Sequence, residues 1–423
     1  MNVEEFSVAE WLDYLENLHL EDIQLGLERI SQVARANELL QWTPTIITVA
    51  GTNGKGSTVS ALEEIYTKGG YQVASYTSPH LLVFNERIRI NKKPISDEDL
   101  RRAFLAIWRR QAGIPLTYFE VTTLAALWHF KHLKLDLIIL EVGLGGRLDA
   151  TNIIDPDLAI ITTIDLDHQE YLGDNVEAIG FEKAGILREN KPFIYGDFKP
   201  PASITLQAKK LNSTMYCLGE NYSYRLSEDK LEVIDPIGQC MVFPKPTIHP
   251  KAIATAVMAS ICLQPKLPIS YNSLTDAISL VQIVGRQQVV AGPITHIFDV
   301  AHNPQAVSLL ADFIKQYQPK DKVHAVFSGL KDKDLSGLIK PMLTYVDDWY
   351  LAVLSGKRAS SEALLMTVFQ SLGCMVDTCF TDPVAAYDAA SLRAKEGDII
   401  IVYGSFLTVG AVMSSRILWE VLQ

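Results

Sequence analysis

Cysteine is scarce in this sequence, and its arrangement argues against a disulfide framework. No two cysteines form a C-x-x-C pair, and an odd, scattered set is typical of reduced thiols. Lys/Arg-rich runs are also missing: 38 basic residues stand against 49 acidic ones, for a formal net charge of −11. This balance disfavours a nucleic-acid partner or an anionic membrane surface. The five cysteines are Cys217, Cys240, Cys262, Cys374 and Cys379.

Long apolar runs are absent as well. The run Leu137–Leu140 stops at Glu141, whereas a helix that spans a bilayer needs about 20 apolar residues. The first residues include Glu4 and Glu5 and lack the basic-then-apolar pattern of a secretory signal. We therefore expect a soluble, cytoplasmic protein without a membrane partner, and we expect it to be a monomer.

The most informative feature that is present is the segment Thr45–Ser57. An apolar strand breaks there into G-T-N-G-K-G-S, at Gly51–Ser57. Glycines let backbone N–H groups close on an anion, Lys55 adds a positive charge, and the next helix begins with its dipole facing the site. The spacing is a variant of the standard phosphate loop, because the hydroxyl arrives one place late. The alternative is a glycine-rich turn with an unengaged lysine, but the order of the parts favours nucleotide phosphates.

Short apolar strands alternate with helices along the rest of the chain, which predicts a mostly parallel sheet covered on both faces. A second alternating series begins near Arg286 and has the size of an ordinary domain. We expect an α/β protein with an N-terminal P-loop ATP-binding domain over 1–285 and a C-terminal Rossmann-like domain over 286–423. Other predicted elements include a helix at Leu25–Leu40, an opening helix through Trp11, Leu15 and Leu18, and a hairpin of Tyr222–Leu226 with Leu231–Ile234.

Polar side chains follow several strands, at the sheet edge where doubly wound folds bind ligands. Glu141 ends one strand and suits Mg²⁺, which prefers oxygen ligands, although a buried and capped carboxylate is the alternative. The spacing of His168 favours a hydrogen-bonded histidine or a general base over a magnesium ligand. By spacing alone Lys183 is a surface lysine in a helix. Arg87 and Arg89 alternate as on a strand, facing either one anion or solvent.

Several motifs, taken in order, resemble a known family. The resemblance is to the bifunctional dihydrofolate synthase/folylpolyglutamate synthases of bacteria, within the Mur ligase superfamily, and it covers nearly the whole chain. The motifs are W-L-D-Y-L-E-N-L-H at Trp11–His19, G-L-E-R-I at Gly26–Ile30, G-T-N-G-K-G-S, S-P-H-L at Ser78–Leu81, N-E-R-I-R-I at Asn85–Ile90, L-T-Y-F-E at Leu116–Glu120, L-E-V-G-L-G-G-R-L-D-A-T-N at Leu140–Asn152, E-K-A-G-I at Glu182–Ile186, D-V-A-H-N-P at Asp299–Pro304 and G-S-F-x-T-V at Gly404–Val409.

The resemblance implies an ATP-dependent ligase. ATP would phosphorylate the carboxylate of 7,8-dihydropteroate to an acyl phosphate, and the amino group of L-glutamate would attack it to give dihydrofolate. A second activity would add further glutamates to reduced folates. The chemistry is physically sensible, because phosphorylation gives the acid a leaving group. The implied cofactors are ATP as co-substrate and two Mg²⁺ ions, together with a carbamylated Lys183.

The resemblance also implies roles for individual residues. Catalysis would involve Lys55, His168 and Lys183. Magnesium would be bound by Ser57, Glu141 and His168. The pterin would contact Ser78, Pro79, His80, Thr117, Phe119 and Asp149. ATP would be bound by Gly51, Thr52, Asn53, Gly54, Lys55, Gly56, Ser57, Thr58, Arg286, Asp299 and His302.

Two positions depart from the family's pattern. Ala252 stands where a nucleotide-contacting asparagine is common, and Gln287 replaces the usual aromatic after Gly285 and Arg286. Neither change removes a phosphate or metal ligand, so we expect activity to survive. The alternatives are a monofunctional folylpolyglutamate synthase, another Mur-type amino-acid ligase, a P-loop phosphotransferase and a regulatory nucleotide-binding module.

Overall fold

The computed structural model describes residues 3–17, 24–317 and 321–415, which belong to two compact units. The first unit comprises Met1–Pro79 and Asn85–Gln282, and the second comprises His80–Phe84 and Ile283–Gln423. The assignment of an ATP-binding domain to 1–285 and of a Rossmann-like ligase domain to 286–423 stays a prediction. Leu18, at the end of the predicted opening helix, lies outside the described residues.

Helices and strands alternate along the first unit. Its helices are α1 (Val8–Asn17), α2 (Glu28–Ala36), α3 (Lys55–Lys68), α4 (Asp97–Arg110), α5 (Tyr118–Lys131), α6 (Gln169–Leu172), α7 (Val176–Ala184), α8 (Ala202–Lys210), α9 (Pro250–Leu263) and α10 (Tyr271–Leu280). Its strands are β1 (Thr45–Ala50), β2 (Val73–Tyr76), β3 (Ile88–Ile90), β4 (Lys93–Pro94), β5 (Leu137–Glu141), β6 (Leu158–Ile161), β7 (Phe193–Tyr195), β8 (Met215–Cys217), β9 (Ser223–Leu226), β10 (Lys230–Ile234) and β11 (Cys240–Pro244).

The main sheet of the first unit has eight strands in the order β4-β3-β2-β5-β1-β6-β7-β8. Strands β2 and β5 to β8 run parallel to β1, while β3 and β4 pair in antiparallel fashion at one edge. All six residues of β1 are buried, because the strand is central and both sheet faces are covered. Strands β9 to β11 form a separate antiparallel sheet.

Some predicted elements differ from the observed ones. The helix predicted over Leu25–Leu40 is confined to α2, since Gly26 (φ 151°) precedes it and Glu38 (φ 57°) follows it in conformations that a helix does not use. The predicted hairpin gains a third strand, β11. Helices α4 and α5 were not predicted from the sequence. Ser96 was a usable signal for α4, because it caps this helix by accepting a hydrogen bond from the backbone N–H of Asp99.

The second unit repeats the α/β alternation. Its helices are α11 (Pro304–Tyr317), α12 (Leu335–Ile339), α13 (Glu362–Ser371), α14 (Pro383–Arg393) and α15 (Phe406–Ser415). Its strands are β12 (Gln288–Val290), β13 (Thr295–Asp299), β14 (Val323–Phe327), β15 (Asp348–Ala352), β16 (Cys379–Phe380) and β17 (Ile399–Tyr403).

The second sheet has the order β12-β13-β17-β14-β15-β16 and is parallel except for β12. Alternate residues of its strands feed two apolar clusters, as the two-residue period of a strand requires. In β17, Ile399, Ile401 and Tyr403 belong to one cluster, and Ile400 and Val402 belong to the other. The α/β prediction is confirmed for both units.

Among the described residues, no helix combines the length and the apolar character that crossing a membrane requires.

Candidate functional site

The predicted phosphate loop connects β1 to α3. Gly51 (φ 149°) and Gly54 (φ 84°) both adopt backbone conformations that L side chains rarely use, and Gly54 is the N-cap of α3. The loop therefore turns sharply and leaves the N-terminus of a 14-residue helix facing the sheet edge, where anions bind well. Lys55 Nζ donates hydrogen bonds to the carbonyl oxygens of Gly51 (2.8 Å) and Thr52 (3.2 Å). Its ammonium group thus lies over the loop.

Two threonines that follow β6 fasten this loop. Thr163 Oγ1 accepts a hydrogen bond from the backbone N–H of Asn53 at 3.0 Å, and Thr162 Oγ1 donates to the Asn53 carbonyl at 2.6 Å. A Cβ atom on Gly51 would collide with Thr162 Oγ1, so the position requires glycine. Sequence reasoning missed both threonines, and their only signal was their place directly after a strand.

Glu141 is the last residue of β5 and lies in register with Val49 of β1. Its carboxylate is buried, and Oε2 accepts a hydrogen bond from the backbone N–H of Ser78 at 3.2 Å. A Cβ atom on Gly56 would be 3.9 and 4.0 Å from its two oxygens, so the carboxylate faces the first turn of α3. The Ser57 hydroxyl belongs to the same turn. Both groups are oxygen donors of the kind that Mg²⁺ prefers.

His168 lies after β6 and is the N-cap of α6, where it adopts the left-handed conformation with φ 50°. This backbone geometry is uncommon for a non-glycine residue. Its backbone N–H donates to Asp167 Oδ1 at 2.9 Å, and its Nε2 lies 3.9 Å from Asp167 Oδ2. Sequence reasoning did not select Asp167, although its place one residue before His168 was a usable signal.

Lys183 lies in the last turn of α7 and is only 4 % exposed, so the interpretation as a surface lysine is wrong. Burial and the positive charge of Lys55 lower the pKa of Lys183 from its ordinary 10.5 to about 7, and Asp167 and Asp149 oppose the shift. Near neutral pH, much of this amine is therefore uncharged and able to react as a nucleophile.

The glycine-rich loop after β5 packs directly against α7. A Cβ atom on Gly146 would lie 2.9 Å from the carbonyl oxygen of Glu182 and 3.1 Å from Cα of Lys183. The backbone N–H of Arg147 donates to the Glu182 carbonyl at 2.7 Å, and its guanidinium pairs with the Glu182 carboxylate at 2.8 Å. The glycine at 146 therefore allows the loop to approach the backbone of Lys183.

Asp149 is buried on the same loop. Its carboxylate accepts hydrogen bonds from the backbone N–H groups of Leu144 (2.8 Å) and Thr151 (3.0 Å) and from Thr151 Oγ1 (2.7 Å). Burial raises the pKa of Asp149, and these hydrogen bonds oppose that rise. The side chain thus stabilises the loop conformation, and its pterin contact stays a prediction.

Thr117 and Phe119 lie at the start of α5. Thr117 forms a capping box with Glu120: Thr117 Oγ1 accepts from the Glu120 backbone N–H at 3.3 Å, and Glu120 Oε2 accepts from the Thr117 backbone N–H at 2.7 Å. The Phe119 ring covers Gly143, where a Cβ atom would collide with it, and lies 5.9 Å from the Tyr76 ring. Phe119 is therefore next to the loop that follows β5, and Thr117 caps the helix two residues before it.

Ser78 and Pro79 follow β2 and are joined by a cis peptide bond. Ser78 contacts Glu141 through its backbone N–H, so one predicted pterin residue meets one predicted metal ligand. His80, in contrast, belongs to the second unit, where its ring lies 5.7 Å from the ring of Phe84.

In the second unit, Asp299 ends β13 and is buried. Burial raises its pKa, while the positive charge of Arg286 opposes the rise. Its Oδ2 accepts a hydrogen bond from the backbone N–H of Gln287 at 3.0 Å. The Arg286 guanidinium and the His302 ring each lie 5.8 Å from the ring of Phe406. The second unit thus gathers the three nucleotide-binding candidates, and sequence reasoning missed Phe406 although the G-S-F motif contains it.

Ala252 lies buried in the first turn of α9 and has no polar side-chain atom. The preceding Lys251 forms an ion pair with Asp197 at 2.6 Å and lies 5.7 Å from the ring of Phe198. Gln287, the other departure, adopts φ 43° and donates its backbone N–H to Asp299. This contact does not depend on the side chain, so it does not require the usual aromatic residue.

The sequence matches two family descriptions. Residues 49–233 match the Mur ligase middle domain, and residues 285–406 match the Mur ligase, glutamate ligase domain. The protein of Escherichia coli (strain K12) named dihydrofolate synthase/folylpolyglutamate synthase is 42% identical over 407 residues, which are 96% of this chain and 94% of that protein.

Two solved structures are similar to this chain over nearly its whole length. E. coli FolC in complex with DHPP and ADP superposes with a TM-score of 0.93 at 40% identity, covering 99% of both chains. A bifunctional folylpolyglutamate synthase/dihydrofolate synthase with Mn, AMPPNP and L-glutamate bound has a TM-score of 0.90 at 40% identity, covering 97% of this chain and 98% of the other.

Proposed function

The chain belongs to the family of bacterial dihydrofolate synthase/folylpolyglutamate synthases within the Mur ligases, and from that premise we propose how its own residues carry the reaction. It is an ATP-dependent ligase that joins L-glutamate to 7,8-dihydropteroate and adds further glutamates to reduced folates. The observation that carries the proposal is one sheet edge where Lys55, the Glu141 carboxylate and the buried Lys183 accompany the phosphate loop.

The reaction begins at the carboxylate of dihydropteroate, which is a poor electrophile until ATP phosphorylates it. A carboxylate oxygen bonds to the γ-phosphorus as ADP leaves, and the glutamate amine then attacks the acyl carbon, losing a proton and expelling phosphate. Backbone N–H groups at the start of α3 would hold the phosphates, and Lys55 would offset the negative charge that develops on the transferring phosphoryl group.

The residues around the loop fit a hard divalent cation. Glu141 and Ser57 supply oxygen donors at the start of α3, and we assign them, with His168, as ligands for two Mg²⁺ ions. Mg²⁺ usually keeps several water molecules and is bound through one or two protein groups together with phosphate oxygens, which fits this small set of protein ligands. When bound, the metal neutralises phosphate charge.

We assign Lys183 as a carbamylated lysine. Its neutral amine would attack the carbon of CO₂, lose one proton and become a carboxylate-like group. A buried amine with a pKa of about 7 favours this reaction, because only the unprotonated form is nucleophilic. Lys55 lies close enough for its positive charge to act on Lys183. The carbamate would help to orient magnesium.

The remaining roles follow the same arrangement. We assign Ser78, Thr117, Phe119 and Asp149 to the pterin side, with Pro79 and His80 in the adjoining segment. Ser78 follows β2, Asp149 lies on the loop after β5, Phe119 covers Gly143 of that loop, and Thr117 caps the helix that carries Phe119. We assign Arg286, Asp299 and His302, which belong to the second unit, to nucleotide binding. The five cysteines are all free, which supports a cytoplasmic protein, and we expect it to act as a monomer.

Isotope transfer tests this proposal directly. We expect dihydropteroate carrying ¹⁸O in its carboxylate to deliver one labelled oxygen to the released inorganic phosphate, and release to require L-glutamate. Mass spectrometry of the phosphate measures the transfer. Phosphate without label, or release that ignores glutamate, would contradict the acyl-phosphate route, while turnover with tetrahydrofolate but not dihydropteroate would favour a monofunctional folylpolyglutamate synthase.

The packing of Phe119 on Gly143 makes a second prediction. Gly143→Ala places a methyl group where the ring lies, so the ring must move away from the loop. We expect the KM for dihydropteroate to rise about tenfold, since small misplacements of binding groups are costly, while the KM for ATP stays unchanged. Steady-state kinetics with each substrate varied would measure both constants, and equal changes in the two would refute a pterin-side role for Phe119.

A further inference from the structure

We propose that Arg29 is a positioning residue for the pterin side of the site, acting through Glu120 on Thr117 and Phe119. The inference rests on the proposed function, because it takes Thr117 and Phe119 as residues that contact dihydropteroate. Arg29 lies in the first turn of α2, 91 residues before Glu120 in the sequence.

The contact joins two elements of the first unit. Arg29 Nη2 lies 3.3 Å from Glu120 Oε1, and it also donates a hydrogen bond to the carbonyl oxygen of Gln24 at 2.9 Å. The Glu120 side chain is 4 % exposed. In the part of the chain that the structure describes, Arg29 is the only cation that forms an ion pair with this carboxylate.

The two carboxylate oxygens of Glu120 have different partners. Oε1 faces Arg29, and Oε2 accepts the backbone N–H of Thr117 in the capping box. A buried carboxylate that loses its cation is strongly destabilised. The Glu120 side chain would then lower its free energy by rotating toward water. That rotation would release the N–H of Thr117. Arg29 therefore stabilises the side-chain orientation on which the start of α5 depends.

The start of α5 in turn sets the position of Phe119. Thr122 Oγ1 donates to the Phe119 carbonyl at 3.1 Å, and it lies 2.9 Å from the hydroxyl of Tyr76. The Phe119 ring covers Gly143, two residues after Glu141. A shift in the first turn of α5 consequently displaces groups on the pterin side, while the phosphate loop stays anchored by the threonines after β6.

Two substitutions and their combination test this coupling. Arg29→Met should lower kcat/KM for dihydropteroate about 10- to 100-fold, mainly through KM, and leave the KM for ATP unchanged. Glu120→Gln should be mild, because glutamine also completes a capping box. The double variant should recover to within about threefold of the wild type, since no buried charge remains unpaired.

Matched controls separate positioning from general stability. Lys230→Met removes an exposed ion pair with Glu232 in the three-stranded sheet, and it should leave both KM values unchanged. Arg29→Lys keeps a cation and should lie between the wild type and Arg29→Met; if Arg29→Met does not fold, it supplies the same readout. Kinetics should be measured well below each variant's unfolding temperature, so that a change in stability alone leaves KM unaffected.

The outcomes distinguish two failures. An unchanged KM for dihydropteroate in Arg29→Met and Arg29→Lys, an equal rise in the KM for ATP, or no recovery in the double variant would overturn the role of Arg29. A wild-type enzyme that releases no phosphate with dihydropteroate and glutamate would contradict the proposed function instead.

Discussion

Lys55→Ala should reduce the turnover of glutamate-dependent phosphate release about a thousandfold. The ammonium already lies over the loop carbonyl groups of Gly51 and Thr52, so it needs little reorganisation to meet the charge that develops on the transferring phosphoryl group. Because this interaction strengthens in the transition state, we expect the loss in kcat rather than in the KM for ATP.

A matched control lies at the other end of the same helix. Lys68 is exposed in the last turn of α3, and Lys68→Ala should leave turnover near the wild-type value. Single-turnover measurements of ADP formation would isolate the phosphoryl-transfer step from product release. Turnover of Lys55→Ala within a few-fold of the wild type, or an equal loss in both variants, would refute the assigned role.

Lys183→Met should have two opposite effects: activity should fall about a hundredfold or more, while the free energy of unfolding at pH 7 should rise. Methionine fills a similar volume and cannot form a carbamate. It also removes an amine whose pKa is lowered by burial and by the charge of Lys55. Such an amine destabilises the folded state at any pH where the unfolded chain would protonate it, because the buried site disfavours the charged form. Function and stability are therefore opposed at this residue.

The pH dependence has a definite sign. In the folded wild type without carbamate, the pKa of Lys183 is about 7, against an ordinary 10.5 that the unfolded chain should show. Between these values the unfolded state binds more protons, so this residue makes the fold more stable as pH rises, by about 1.4 kcal/mol per pH unit. The advantage of Lys183→Met should therefore shrink from pH 7 toward pH 10.5.

Denaturant unfolding at several pH values in CO₂-depleted buffer measures this difference, because a carbamate would change the charge at the site. A constant stability difference across that pH range would refute the lowered pKa. For the activity, Lys183→Ala leaves space for a small carboxylate, and we expect formate or acetate to restore part of its turnover. Failure of added bicarbonate to affect a CO₂-depleted wild type would count against the carbamate.

The phosphate loop and Glu141 could be predicted because their signals are local. A β-branched run that breaks at Gly51 and Gly54 permits few backbone paths other than a strand, a tight turn and a helix start. Likewise a carboxylate that ends an apolar strand reaches the sheet edge in any parallel arrangement. Both the α/β class and the location of these groups therefore followed from neighbouring residues alone.

Other features depend on contacts between distant segments. In α7, Phe181 is exposed and Lys183 is buried, the reverse of what their polarity indicates, because the loop at Gly146 covers the lysine side of the helix. Arg89 lies on β3 and pairs with the buried Glu63 at 2.5 Å, so solvent does not explain it. Neither partnership leaves a trace in the local sequence.

The segment His80–Phe84 has a practical consequence for protein engineering. Leu81 and Leu82 pack on one apolar cluster of the second unit. The Leu81 side chain is so close to Gly285 that a Cβ atom on this glycine would lie only 2.8 Å from Leu81 Cδ2. A fragment that starts at Ile283 would lack these two leucines and would expose the apolar side chains that they cover. Chimaeras that exchange the C-terminal module between relatives therefore need to transplant two pieces of chain together.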